Sequence, residues 1–309
     1  MTSETRPDVR TLGKQLSNWG RWGPDDDRGT TNLITPDLVA AAAALVRTGS
    51  VFDLGIPLDS SGPQTGSFRP NPIRLTSQTG HGQDYPGGFR FSDDYVFMPL
   101  QAGSQYDALA HVHYDGKLYN GHPATDVTET GAQHCGIHTQ AKGITGRGVL
   151  LDVARQRGVD WLPSGEVIGP DDLEAAERAA GVRVGRGDIL LVRTGWWRKY
   201  QRDGDRAEFL SGEPGLGLDT AAWLRERDVA VVGSDNQGVE VMPGENPDGL
   251  FELHMVLLRD MGLTLAEMLD LEELAADCAA DGRYAFFFAG PPLKFTGASG
   301  SPVNPLAIK

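Results

Sequence analysis

A single phrase recurs along this chain: a helical segment, a stop, then an apolar strand. Thr35 reads as an N-cap with Pro36 at the first helical position. An alanine-rich helix over 37–47 follows, Gly49 closes it, and the strand 51–56 begins. Residues 170–180 read as a second helix ended by Gly181 and leading to the strand 188–193. Asp219 caps a third over 220–227 that runs into the strand 228–233. Residues 147–153 and 284–289 are further buried-strand candidates. Such alternation predicts an α/β fold, with at least one sheet covered by helices.

The 309 residues, 39% of them hydrophobic, suffice for a full core without disulfides. Forty glycines and 19 prolines predict short elements and many turns. No linker divides the chain, so the expectation is an N-terminal arm over 1–17 and one domain over 18–309. The glycine-rich connections 60–91 and 114–143 are expected to cover the site or build a subunit interface.

Charge and cysteine usage narrow the function. Lys and Arg number 28 against 42 Asp and Glu, a formal net charge of −14 that repels phosphate backbones and argues against nucleic-acid binding. A small neutral substrate or a metal cation suits that field better. No stretch approaches the ~20 apolar residues of a membrane span, and the first residues lack the apolar core of a signal peptide. The two cysteines, Cys135 and Cys278, form no framework, so a reduced, cytoplasmic protein is expected.

Chemistry concentrates in Gln101-Ala-Gly-Ser-Gln-Tyr-Asp107-Ala-Leu-Ala-His111, directly after the apolar run Tyr95-Val-Phe-Met-Pro-Leu100. The run reads as a strand delivering polar groups to a sheet rim, with Gly103 permitting a tight path. In an extended chain Gln105 and Asp107 project from one face. A carboxylate beside an amide oxygen can hold a divalent cation, and His111 can move protons at neutral pH.

This stretch, with the following Tyr114-Asp-Gly-Lys-Leu-Tyr-Asn-Gly121, resembles the signature of the putative cyclase family, which includes kynurenine formamidases and isatin hydrolases. The usual pattern there is His-x-Gly-Thr-His-x-Asp-x-Pro-x-His. Gly103, Asp107 and His111 match it. Gln101 and Gln105 stand where two metal-binding histidines are usual, and Leu109 replaces the proline, as in a Gln-x-Asp sub-branch. Further similarity runs through Asn18-Trp-Gly-Arg-Trp-Gly23, Asp26-Asp-Arg-Gly-Thr-Thr-Asn-Leu33, residues 143–152, 191–196 and 297–305. His254-x-x-Leu257-Leu258 and Glu267 resemble the family's second ligand cluster.

The resemblance implies a fold around a curved or barrel-like sheet with flanking helices, of the swivelling β/β/α type. It also implies a homo-oligomer, a dimer or a dimer of dimers. Residues 253–261 read as a helix with His254 near its start and a stop at Gly262. Glu267 lies beyond that stop, so the two can converge only if the chain turns back.

Asp107, His254, Glu267 and the Gln105 oxygen then form the implied metal set, oxygen-rich with one nitrogen. Mn²⁺ or Zn²⁺ is expected, with Mg²⁺ also compatible. The cation would polarise a substrate carbonyl and lower the pKa of water towards ~7, with His111 as general base. No Gly-x-Ser-x-Gly elbow offers a competing nucleophile.

Gln101, Tyr106, Trp196 and Asp235 are candidates for substrate contact. Trp196-Trp197 follows a strand end, where the pair either sandwiches a planar substrate or plugs the core. Asp235 and Asn236 follow another strand, and Tyr106 and Tyr119 could donate to a carbonyl. His134 and His138 have i, i+4 spacing, but Gly131 and Gly136 interrupt the segment, so both read as loop histidines. His113 is a lesser alternative base, and His81 a loop residue near the pocket.

These readings point to a metal-dependent hydrolase of a small aryl or cyclic amide: a formamide, lactam or lactone. A cyclase or dehydratase using the same site, and a non-catalytic small-molecule binder motivated by Gln101 and Gln105, are the alternatives.

Overall fold

The alternation of helix and apolar strand resolves into one nine-stranded sheet curled into a half-barrel, in a computed structural model that describes residues 8–309. Its order is Val51–Asp53, Leu306–Ile308, Ala285–Ala289, Thr145–Asp152, Ile189–Arg193, Val231–Ser234, Thr264–Glu267, Gln105–Asp107 and Gly300–Pro302. The four strands from Thr145–Asp152 to Thr264–Glu267 run parallel, and the flanking pairs are antiparallel. A parallel core needs cover on both faces, which is why its strands read as continuous apolar runs.

Side chains alternate across the sheet with the two-residue period of a strand. Val149, Leu151, Leu190, Val192, Val232 and Leu265 face the helices Pro170–Ala180 and Thr220–Glu226 and the helical segment ending at Met261. Leu150, Ile189, Leu191, Val231, Ala266, Phe286 and Phe288 pack on the other face with Leu274, Ala275 and Cys278 of the helix Glu272–Asp281.

The helix Pro170–Ala180 has the expected bounds, with Gly181 left-handed at its end. The helix after Thr35 stops at Ala43, and Thr35 caps Leu38. Asp219 precedes Thr220–Glu226 without capping it through its side chain. The expected helix over 253–261 is a short α-turn, Glu252–His254, widened into a π-helix over Met255–Met261. It ends on the left-handed Gly262 (φ 64°).

The apolar run after Tyr95 departs most from expectation. Asp94–Phe97 pairs only with Ile73–Thr76, in a hairpin separate from the main sheet. Register places Ile73 opposite Phe97 and Leu75 opposite Tyr95, so these four share one face, and all four are exposed. Arg74, Thr76 and Asp94 hydrogen-bond to one another on the same hairpin. Val96, opposite Arg74 on the other face, is exposed as well, so the run is covered on neither side.

Of the expected arm, residues 1–7 lie outside the described residues. The helix Val9–Leu16 packs on the π-helix, where Asn18 Nδ2 donates to Met261 O and Trp19 Nε1 to Arg259 O. Among the described residues no helix is long and apolar enough to cross a membrane.

Candidate metal centre

Three sequence-distant segments meet because Gln105–Asp107 inserts between Thr264–Glu267 and Gly300–Pro302. The register sets Asp107 opposite Leu265 and Gln105 opposite Glu267, so Gln105, Asp107 and Glu267 emerge on one face. The Gln105 amide nitrogen donates to Glu267 Oε2 across that pair. Gly103 opens the approach by its lack of a side chain, since a Cβ there would come within 2.6 Å of Leu58 Cδ2.

After Asp107 the chain turns. The amide of His111 donates to Ala108 O, and the imidazole Nε2 lies 3.6 Å from Asp107 Oδ2. His254 enters from the other side at the start of its helical segment. Its Nε2 is 3.4 Å from Glu267 Oε1, and its Nδ1 is 2.7 Å from Glu240 Oε2. One ligating atom from each of Asp107, His254 and Glu267 lies within 4.8 Å of the others, and all three residues are buried.

Charge is poorly balanced in this pocket. Burial, reinforced by the Glu267 charge, pushes the Asp107 carboxyl well above the ordinary carboxylate range, against the pull of His254 and Arg69. Burial alone would depress His254, but hydrogen bonds and charge from Glu240 and Glu267 raise its pKa to about 10. The imidazolium thus supplies the positive charge that the carboxylates demand. His111 goes the other way, lowered to about 4 mainly by burial, so it is neutral at pH 7.

Asp107 Oδ1 and Gln105 Oε1 are buried without a hydrogen-bond partner. Orphaned acceptors beside a second carboxylate and an imidazole fit a divalent cation, which would satisfy the oxygens and neutralise the excess charge. The donors open into a cavity of about 380 Å³, a size that admits a small molecule. Phe68, Val112, Leu210 and Phe251 supply its apolar wall, and Gln64, Arg69 and Gln237 its polar one.

The four residues expected to touch substrate lie elsewhere. Tyr106 points to the opposite face of the strand, into the core with Phe288, because it alternates with Gln105 and Asp107. Trp196 is buried against Phe209 and donates to its carbonyl. Asp235 accepts from the Thr194 amide and hydroxyl and from the Gly195 amide, tying two strand ends together. Burial pushes its carboxyl up to about 6. Gln101 Nε2 reaches Ser299 Oγ at 3.4 Å, outside the cavity.

Tyr119 donates to Asp26, His113 and His81 are exposed, and His138 Nδ1 accepts from the Gly297 amide. Sequence reading missed Glu240, Arg69, Phe68 and Phe251, which have no motif around them. Glu240 had one available signal: a carboxylate behind a ligating histidine is the usual way to fix its tautomer.

Fold and site together define a mixed α/β protein whose curled sheet carries a buried carboxylate–imidazole cluster at the mouth of a small cavity. The family model described as "Putative cyclase" matches residues 52–241, and the chain belongs to that family. A crystal structure described as a novel cyclase is 42% identical and superposes with a TM-score of 0.89, covering 95% of this chain and 100% of that one. Isatin hydrolase A from Ralstonia solanacearum shares the fold at 21% identity and TM-score 0.61, with full coverage of both chains. A predicted metal-dependent hydrolase from Bacillus stearothermophilus does so at 20% and 0.55, covering 84% of this chain and 98% of that one. No curated protein matches the chain.

Proposed function

We propose that this protein is a metal-dependent hydrolase acting on the carbon–nitrogen bond of a small aryl or cyclic amide, a formamide or a lactam, with lactones, cleaved at the corresponding carbon–oxygen bond, as the ester counterpart. The observation that carries the reading is the buried Asp107–His254–Glu267 cluster with its orphaned Asp107 oxygen, flanked by His111 and opening into the cavity. The isatin hydrolases of the same fold, one described as bound to the product analogue thioisatinate, make a cyclic aryl amide the natural choice.

Asp107, His254 and Glu267 would hold the cation, with Gln105 Oε1 as a further oxygen. Mn²⁺ or Zn²⁺ suits the set best, and Mg²⁺ is compatible. Such an ion supplies Lewis acidity towards a carbonyl and makes water nucleophilic at neutral pH. Glu240 holds the His254 ring from behind, accepting from Nδ1 and leaving Nε2 for the cation. His111, neutral and beside Asp107, takes the proton from water and returns it to the leaving nitrogen or oxygen. Phe68 and Phe251 would flank an aromatic ring, while Arg69 and Gln64 meet its polar edge.

A cyclase or dehydratase is the second reading, favoured by the description of the 42%-identical structure. There His111 would remove a proton from substrate rather than from water. Assays on formylkynurenine, isatin and simple lactones, with and without added Mn²⁺, test the primary reading. Metal-dependent ring opening or deformylation is expected, and inertness towards all three with the ion bound would overturn it.

The chain would act as a homo-oligomer. The support is the exposed apolar face of Ile73, Leu75, Tyr95 and Phe97, a kind of surface that soluble monomers rarely leave bare. Cys135 and Cys278, both buried and free, suit a cytoplasmic protein.

A further inference from the structure

We propose that Asp27, His122 and His134 form a second cation site, separate from the Asp107 centre, that takes a divalent transition ion of the Zn²⁺ class. The His122 and His134 rings stack at 4.0 Å between centroids and 5° between planes; imidazole lone pairs lie in the ring plane, so a shared ion requires one ring to turn out of this stack. Both are directed at one carboxylate: His122 Nε2 is 3.3 Å from Asp27 Oδ1, and His134 Nδ1 is 3.4 Å from Asp27 Oδ2. Yet His122 Nε2 is buried without a hydrogen-bond partner. Donors about 2.0–2.1 Å from a tetrahedral ion are themselves about 3.3 Å apart, close to the two imidazole–carboxylate distances, and one ligating atom of each of the three residues lies within 4.8 Å of the others.

The surroundings hold these three groups in place. Asn120 Nδ2 donates to the carbonyls of Gly23, Pro24 and Asp26, fixing the turn before His122 to the segment before Asp27. Thr139 Oγ1 donates to Asp27 O, and the Cys135 thiol to Asp27 Oδ1 at 3.7 Å. Asp126 Oδ2 lies 3.9 Å from His134 Nε2, the ring nitrogen not turned to Asp27, near it but beyond hydrogen-bond reach.

Two imidazoles and one carboxylate select a transition ion over Mg²⁺ or Ca²⁺, which prefer all-oxygen shells. The site shares no residue with the Asp107 cluster. It is 41% exposed at the His134 side chain, so an ion can enter from solvent.

The test uses the full chain carrying Asp107→Ala, stripped with chelator, dialysed against Zn²⁺ and analysed by mass spectrometry for bound metal. One Zn²⁺ per chain is expected to remain. Adding His122→Ala and His134→Ala should weaken that binding by at least about 100-fold, since even outer-shell partners are worth ~10–100-fold. Absence of Zn²⁺ from the Asp107→Ala chain, or equal Zn²⁺ in the triple variant, would overturn the proposal. A variant-free check is carbethoxylation of the unmutated protein by diethyl pyrocarbonate. Zn²⁺ should protect His134 and leave the exposed His81 reactive, and equal labelling of His134 with and without Zn²⁺ would also overturn it.

Discussion

His254 and Glu240 are locked together: Nδ1 of the ring lies 2.7 Å from Oε2 of the carboxylate, which also accepts from the main-chain amides of Leu253 and His254. One buried side chain therefore anchors the start of the helical segment and orients the ring. Glu240→Gln keeps the size but weakens the acceptor, so Mn²⁺ affinity should fall about 10–100-fold while the far-ultraviolet circular dichroism is retained. Electron paramagnetic resonance titration measures it, and unchanged affinity would remove Glu240 from the centre.

His111 stands beside Asp107 yet outside the ligand cluster. His111→Ala should keep bound metal and lose about 10²–10⁴ in kcat, the range for a general base. Steady-state kinetics with parallel metal analysis checks this. An unaltered kcat would assign the proton transfer to another group.

A pH effect follows from Asp188, which accepts from Arg147 and from the Gly185 amide but is buried, and whose carboxyl is pushed up to about 6, chiefly by burial. A carboxyl raised above its unfolded value of 3.8 makes the native state hold its proton longer. The associated stability is complete below about pH 4 and is lost as pH rises through about 6. The span is of order 2–3 kcal/mol. Asp188→Asn can keep the Gly185 bond and should flatten the decline between pH 4 and 6 in urea unfolding. A slope identical to the parent's would show that Asp188 does not cause it.

The hairpin gives a prediction about assembly. Leu75→Asp combined with Tyr95→Asp places charge on its apolar face, which the site does not use. Light scattering after size exclusion should give an oligomer for the unmutated protein and a monomer for this variant, and a monomeric parent would overturn the proposed assembly. An unchanged mass would move the interface elsewhere.

Much of this was readable in the residues, and the failures have physical causes. The helix over 170–180 carries its own proline start and glycine stop, so its bounds came out complete. Gln105 and Asp107 share a face by strand period, and the same period turns Tyr106 into the core, a conclusion that was available from the alternation alone. The apolar run at Tyr95 reads as a strand of the sheet that carries Gln105 and Asp107, but it pairs only with Ile73–Thr76, because an apolar pattern does not say which strand it pairs with or what covers it. Trp196 and Asp235 sit at strand ends where ligands often bind, but here they are consumed by packing and by the Thr194 and Gly195 amides. Glu240 and Arg69 reach the site from loops through tertiary folding, which no local pattern encodes.

The most direct measurement is an anomalous difference map from crystals grown in saturating Mn²⁺ and collected with X-rays near the manganese edge. One strong peak within bonding distance of Asp107, His254 and Glu267 is the expected result. A map without signal there, with His254 still bridging Glu240 and Glu267, would contradict the assignment of this cluster as a metal centre.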